Sequence, residues 1–539
     1  MAGPTSRVGA ECLKIKMSDI PKMCPFMKRF AEQNGGIQNV AVEKIATLSN
    51  QCPVVKNSSI TLDAEGPVTR EDDNKTFPQM SKSKCPFSQH MEQQFKQFQD
   101  KFGTPVSPKA CMVRHAHEVT YGRKFMENIK KLQDEGRYRS FANLQRQVGN
   151  FPNASFRPPA ELQDVMAPDG EPIPVRIFCS NDYLGMGQNP KVLEASHNAL
   201  KTSGSGAGGT RNISGTTVFH VDLETELAQL HQKEKSLVCS SGFVANEAAL
   251  SVVGQLLPGC IIYSDEDNHA SMIAGIRHSK CTKKIFKHNN MEDLERLLKE
   301  APFSTPKMIV FESVYSMTGK IAPMADIVYL SRRYNALTFV DEVHAVGMYG
   351  EHGAGVAERD GVMHEIDIIS GTLGKAFGVF GGYVAASQNF IDCVRSFASG
   401  FIFTTAIPPV VAAGALASVR HLRWSQEERT VQHLRAKQLK EMAIAAGLPY
   451  LVNPSHIVPM FVGDATKCKE LTDRLLYKHR IYLQPINFPT VPVGTERIRI
   501  TPGPLHSEKD LENLIDALKI EWELLNLPRL GDIPAAMAA

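Results

Sequence analysis

The 539-residue sequence has no apolar run long enough to cross a bilayer. Its most apolar stretch, Ile407 to Val419, falls short of the roughly 18 residues that a span needs. Two prolines at its start favour a buried helix instead. Paired-cysteine signals are missing too: the 11 cysteines are odd in number and scattered, with no CxxC or CxxH spacing. That argues against a disulfide framework or a structural zinc site and suits a reducing interior. No charge of one sign dominates, since the formal net charge is +3 and the pI is near 8.2. Neither nucleic acid nor an anionic membrane is demanded as a partner. Internal repeats and long low-complexity tracts are absent as well. What is there, 42% apolar and 22% charged residues, is the composition of a soluble globular protein with two or three domains.

The first hundred or so residues are rich in Lys, Ser, Gln, Asn and Pro and have little periodicity, so loose order is expected for them. The opening segment carries Arg7, Lys14, Lys16, Lys22, Lys28 and Arg29 against Glu11 and Asp19. A basic, acid-poor start of this kind suggests a mitochondrial presequence. The organisation read from the chain is a leader over 1–112, an N-terminal segment over 113–183, a large domain over 184–410, a smaller one over 411–527, and a tail.

From about Val113 the texture changes. Tyr121 to Glu135 has helical spacing, and strand-like runs then alternate with helices. The strands expected are Ser236–Cys239, Cys260–Tyr263, Met308–Phe311, Leu337–Val340 and Ile366–Ile369. The helices expected include Asp222–His231, Met291–Lys299 and Ala325–Arg333. Such alternation predicts an α/β fold with a mainly parallel sheet, which binds ligands at the carboxyl ends of its strands. Strands near His456–Phe461 and Arg497–Ile500, then a helix over Glu508–Leu525, predict a smaller C-terminal α/β domain.

The chemistry concentrates in two runs. Thr338-Phe-Val-Asp-Glu-Val-His-Ala-Val-Gly drives an apolar strand into Asp341, with His344 three residues on. Asp341 either points into the ligand crevice or only opens a loop. Ser370-Gly-Thr-Leu-Gly-Lys-Ala-Phe-Gly then places Lys375 among small and apolar residues with no local acid. Burial would lower its pKa and leave a neutral, nucleophilic amine; alternatively, the lysine snorkels out of a Gly-rich turn. Together the two runs fit pyridoxal 5'-phosphate, which needs a lysine for its aldehyde, a carboxylate for its pyridine nitrogen and donors for its phosphate. Ser241-Gly-Phe-Val-Ala-Asn follows a strand and opens a helix, so its backbone N–H groups suit a phosphate. Thr372 adds a hydroxyl nearby. The run Gly204-Ser-Gly-Ala-Gly-Gly-Thr-Arg lacks the preceding strand of a nucleotide fingerprint and reads as a loop beside the crevice, carrying Thr210 and Arg211.

Asp341-Glu-Val-His-Ala-Val-Gly and Gly371-Thr-Leu-Gly-Lys-Ala-Phe-Gly resemble the α-oxoamine synthases, fold-type I PLP-dependent transferases (aspartate aminotransferase-like) that join an amino acid to an acyl-CoA. The likeness runs from about residue 115 to 525. Asp134-Glu-Gly-Arg-Tyr-Arg, Asn181-Asp-Tyr-Leu-Gly-Met-Gly, Gly208-Gly-Thr-Arg-Asn-Ile-Ser-Gly-Thr, Glu312-Ser-Val-Tyr-Ser-Met and Gln484-Pro-Ile-Asn-Phe-Pro-Thr-Val-Pro are similar to the branch that condenses glycine with succinyl-CoA. Gly374 stands where many relatives would have Ala.

The resemblance implies roles. Lys375 would carry the cofactor and shuttle protons, Asp341 would pair with its ring nitrogen, His344 would bond its phenolic oxygen and His269 would stack on its face. Tyr183 and Ser316 would touch it, and Gly242, Phe243 and Thr372 would bind its phosphate. Thr404 and Thr405 would join from a partner subunit, implying a homodimer with active sites at the interface. Arg499 would hold the glycine carboxylate. Arg139, Asn181 and Thr490 would read the succinyl end, with Thr210 also on the substrate side, and Ser264 and Lys283 would contact coenzyme A. The Pro-rich stretch 485–495 looks like a lid. The rival readings are another α-oxoamine synthase with a different amino acid or acyl-CoA, and a non-catalytic subunit that keeps the fold.

Cys24-Pro25, Cys52-Pro53 and Cys85-Pro86 all fall in the leader. Composition alone gives about 0.65 such pairs in the whole chain. A cysteine thiolate can ligate haem. Vertebrate members of that branch carry similar haem regulatory motifs, so the resemblance implies haem binding to the leader and residence in the mitochondrial matrix.

Overall fold

In the computed structural model, the residues described are 14–16, 61–63 and 108–534 apart from 168. Cys24, Cys52, Cys85 and nearly all of the basic leader lie outside them. Lys14–Lys16 and Thr61–Asp63 pair as short parallel strands. A helix runs from Pro108 to Asp134 and contains most of the helical stretch expected from Tyr121. From residue 127 on, the described residues form one compact unit.

The centre of that unit is a seven-stranded sheet. Its strands are β1 (Lys235–Cys239), β2 (Ile261–Asp265), β3 (Thr282–Phe286), β4 (Lys307–Glu312), β5 (Leu337–Asp341), β6 (Ile368–Thr372) and β7 (Gly382–Ala386). Their order is β1-β7-β6-β5-β4-β2-β3, parallel except for β7, which runs against both neighbours. Except along the edge strand β3, whose Thr282, Lys283 and Ile285 are exposed, both faces are buried, which is why the other strands are apolar almost without alternation. Along β4 and β5, Met308, Val310 and Phe339 enter one core while Ile309, Phe311 and Val340 enter another on the opposite face. Each such fully buried side chain contributes about 1.5–3 kcal/mol.

The expected strands are present, with one displaced. The sequence reading put a strand at Ile366–Ile369, but β6 starts at Ile368 and continues through Ser370 and Gly371 to Thr372. Gly371 lies inside the strand, and the Tyr383 ring of β7 occupies the place of a side chain there, with a Cβ only 2.3 Å from Tyr383 Cζ. Tyr383 is itself pinned by a 2.8 Å hydrogen bond to His231 Nε2.

The apolar stretch at Ile407 becomes the helix Pro409–Trp424, with Ala412, Ala415 and Val419 in the core. The C-terminal part has a small antiparallel sheet of β8 (Val458–Phe461), β9 (Pro485–Ile486) and β10 (Arg497–Ile500), ordered β8-β10-β9. The helix Glu508–Leu524 packs into a separate core with it, around the fully buried Trp522. A four-stranded sheet of Asn143–Arg146, Asn153–Arg157, Ile173–Ile177 and Ile481–Tyr482 had no counterpart in the sequence reading. Asn153–Arg157 and Ile173–Ile177 do alternate, turning Ala154, Phe156, Ile173, Val175 and Ile177 inward, but strands of two to five residues that mix in Asn, Gln, Arg and Pro are too short to stand out in the sequence. Among the described residues no helix is long and apolar enough to cross a membrane.

Candidate active site

The carboxyl ends of β4, β5 and β6 meet in register, bringing Glu312, Asp341 and Ser370 side by side. Asp341 is buried; its Oδ1 accepts from Val343 N at 2.8 Å and its Oδ2 from Asn246 Nδ2 at 2.6 Å. Asn246 belongs to helix α1 (Gly242–Ser251), one turn beyond Gly242. Glu312 is also buried, and its carboxyl is held well above the usual range by desolvation, with Asp341 pushing the same way. The backbone of His269 and Ser316 beside it partly offsets that rise.

Lys375 follows the end of β6 by three residues. Its ammonium is lowered from 10.5 to about 7, first by burial and then by the Arg499 guanidinium, while Asp341 and Glu312 pull it back up. The neutral amine expected from the sequence is therefore half populated near pH 7. Its Nζ lies 2.5 Å from His344 Nε2. On the other side of that ring, Nδ1 is 2.8 Å from the Tyr183 hydroxyl. Burial, followed by the charges of Lys375 and Arg499, keeps His344 well below its ordinary value. Lys375, His344 and Tyr183 thus form one line of exchangeable protons. Arg499, on β10, reaches in from the C-terminal sheet and donates to Asn181 Oδ1 at 2.6 Å and to Ser316 O at 3.2 Å.

These groups open on a cavity of about 1030 Å³ lined by Lys375, Asp341, His344, His269, Thr372, Ser316, Gly242, Phe243, Asn181, Thr490 and Arg499. Pro489, Val491 and Pro492 from the expected lid also line it. Tyr183 stands one bond behind, against His344.

The remaining sequence candidates do not line the cavity. Arg139 is exposed, and its neighbour Arg137 instead packs over the Phe488 ring at 5.0 Å. Ser264 is buried at the end of β2 with its hydroxyl on Asp265 O, and Lys283 is exposed on the edge strand β3. Thr210 and Thr405 form a β-bridge, and Ala406 N donates to Gly209 O, so the Gly-rich loop and the Thr404–Thr405 pair make one cluster. Arg211 is committed to a two-pronged pair with Glu224, at 2.7 and 3.0 Å. Sequence reasoning missed Asn246, Ser271 and Glu312. Helical spacing from Gly242 to Asn246 was the available signal for the first.

Two features of the fold suit pyridoxal phosphate. At the start of α1, the Ser241 hydroxyl caps Val244 N, while the N–H groups of Gly242 and Phe243 belong to the first turn and have no intrahelical carbonyl. A Cβ on Gly242 would come within 3.4–3.5 Å of Thr372 and Val343, so the bare backbone keeps this cradle open. At the other end, a buried carboxylate and a near-neutral amine share the same cavity. Aldehyde, ring nitrogen and phosphate each find the group they need.

The family model for aminotransferase class I and II matches residues 174–518. A 5-aminolevulinate synthase from Rhizobium meliloti (strain 1021) is 54% identical over 405 residues, covering 75% of this chain and 98% of its own. The erythroid-specific, mitochondrial 5-aminolevulinate synthase of Homo sapiens is 48% identical over 419 residues, covering 77% of this chain and 70% of its own. Among solved structures, a serine palmitoyltransferase from S. paucimobilis with bound PLP-myriocin aldimine superposes with a TM-score of 0.68 at 27% identity, over 76% of this chain and 99% of that one.

Proposed function

Because the chain belongs to the 5-aminolevulinate synthases, within the class I and II aminotransferase family, we propose that it joins glycine to succinyl-CoA through the cavity at Lys375. The enzyme is a PLP-dependent transferase of the tetrapyrrole route, and pyridoxal 5'-phosphate supplies the electron-withdrawing ring when bound. Every other task falls to the protein. The observation that carries the reading is the Lys375 amine, brought to about 7 by desolvation, in the same cavity as the Asp341 carboxylate.

Lys375 Nζ would hold the cofactor by its aldehyde and, once the glycine amine had displaced it there, the freed amine would be the base for the glycine Cα proton, its pKa of about 7 leaving much of it unprotonated near neutral pH. His344 Nε2, 2.5 Å away, takes that proton on or returns it, with Tyr183 completing the line. Asp341 would hold the proton on the pyridine nitrogen, with Asn246 and Val343 N keeping its oxygens aimed. His269 would cover one face of the ring. Gly242, Phe243 and Thr372 would hold phosphate, and Ser316 buttresses Arg499 through its carbonyl.

Arg499 receives the glycine carboxylate in a fork of donors, with Asn181 fixing the angle of that fork. Asn181, Thr490 and Arg139 read the succinyl carboxylate, with Thr210 beside them, while Ser264 and Lys283 contact coenzyme A. The segment carrying Pro489 to Pro492 closes over the bound substrates and excludes water. Several of these residues, together with Thr404 and Thr405, lie away from the cavity, which supports a homodimer whose second subunit completes the site. The mitochondrial relatives support a mitochondrial address. We further assign haem binding to Cys24, Cys52 and Cys85 of the leader.

The test is an assay of purified protein with glycine and succinyl-CoA, against alanine and acetyl-CoA as controls, with the mass by sedimentation. Release of free coenzyme A and 5-aminolevulinate from the first pair alone, by a species of twice the chain mass, is expected. Equal turnover of the controls would assign the chain to a different substrate pair.

A further inference from the structure

The hydrogen bonds between Asp341 and His269 leave one direction for each proton. An ionised carboxylate only accepts. Asn246, 1% exposed, therefore turns its amide nitrogen toward Asp341, and that NH2 group donates to Oδ2 at 2.6 Å and to Ser271 Oγ at 2.9 Å. Its Oδ1 is left buried with no partner, which marks an orientation set by the carboxylate and not by the amide's own needs. With one lone pair taken, the fully buried Ser271 hydroxyl directs its proton to His269 Nδ1, 2.7 Å away. The Ser271 backbone N–H points at the same nitrogen from 3.2 Å. A ring nitrogen that receives two donors carries no proton, so the proton of His269 sits on Nε2.

We propose that Asn246 and Ser271 are positioning residues that use the charge of Asp341 to hold His269 as a neutral imidazole, protonated at Nε2, in the wall of the cofactor site. The inference rests on the cofactor assignment above. A pyridine ring protonated against Asp341 is cationic at that edge, and an imidazolium beside it would repel it, whereas a neutral ring offers an uncharged face. The charged and titratable groups around His269 are Asp341 on β5, Glu312 on β4, and Lys375 and His344. Burial and Lys375 lower its pKa, while Asp341 raises it. The serine hydroxyl tips this balance, since a donor to Nδ1 stabilises the unprotonated ring.

The experiment titrates apoprotein with pyridoxal phosphate between pH 8 and pH 6, following the cofactor's visible absorbance, for wild type, Ser271→Ala and Asn246→Leu. Losing the hydroxyl removes the donor that favours the unprotonated ring, while burial and Lys375 remain, so the ratio of variant to wild-type dissociation constants should rise as pH falls from 8 to 6, by at most about fourfold, the limit set by an ordinary imidazole pKa of about 6.5. Titration of Lys375 is common to all three proteins and cancels in that ratio. A ratio that stays level with pH would overturn the proposal, because a purely structural defect weakens binding equally throughout. Asn246→Leu must follow the same pH trend, since it removes the donor that orients the serine. Wild-type protein that bound no cofactor at any pH would overturn the cofactor reading itself.

Discussion

Replacing Lys375 with methionine should make the apoprotein more stable, not less. The side chain keeps its length, and the cost of stripping water from an ammonium disappears. Lowering the amine from 10.5 to about 7 corresponds to about 5 kcal/mol at 1.36 kcal/mol per pKa unit. In the unfolded chain the amine stays protonated up to its ordinary value, whereas folding expels the proton. Stability therefore rises with pH across the window from about 7 to 10.5. At pH 7 the penalty comes to about 4 kcal/mol, and at pH 9 about 2 kcal/mol remains. Losing the contact with His344 returns about 1 kcal/mol. Lys375→Met apoprotein should thus be more stable by about 3 kcal/mol at pH 7, with most of the advantage gone by pH 9. Urea denaturation of both apoproteins at fixed chain concentration and both pH values measures it. Equal midpoints, or an advantage that does not shrink with pH, would refute a desolvated amine at this position.

Arg499→Gln should raise the KM for glycine by about 100-fold through loss of the charged fork. It should also move the acid limb of kcat/KM to higher pH, because removing a cation lets the Lys375 pKa climb; an unshifted limb would separate the two residues. Arg211→Ala leaves Glu224 without its partner in a pair whose side chains are only 10% and 17% exposed, and should cost about 3–5 kcal/mol in urea unfolding. A loss below about 1 kcal/mol would class the pair with surface bridges. Gly371→Ala should lower stability by about 1–3 kcal/mol, since Tyr383 is buried and hydrogen bonded and cannot give way. A wild-type melting temperature would contradict that packing.

The sequence exposed those parts of the fold whose signals are local. Met291–Lys299 begins behind the Asn290 cap, carries acids in its first turn and bases in its last, and lines up Leu294, Leu297 and Leu298 on one face. All of that is written in consecutive residues. The four-stranded sheet is the opposite case, since Ile481–Tyr482 pairs with Ile173–Ile177 across three hundred residues and has no pattern of its own. The site divides in the same way. Asp341 and Lys375 announced themselves by a carboxylate at a strand's end and an amine without a local acid. Asn246 and Ser271 read as ordinary polar residues of two helices until the fold brought them between Asp341 and His269. The Ile366–Ile369 strand was placed two residues early because Ser370, Gly371 and Thr372 are not apolar, whereas Gly371 continues the strand and admits the ring of Tyr383 from the next one.

The most direct test of the central claim loads the protein with pyridoxal phosphate, reduces it with borohydride and maps the labelled peptide by mass spectrometry. Lys233, Lys307 and Lys440 are also desolvated, with lowered pKa values, so the experiment has real competitors. The Nζ of each of these three donates to backbone carbonyls, whereas that of Lys375 faces the cavity. The account predicts one pyridoxyl group per chain, on Lys375. A label on any of the other three, or none at all, would contradict it.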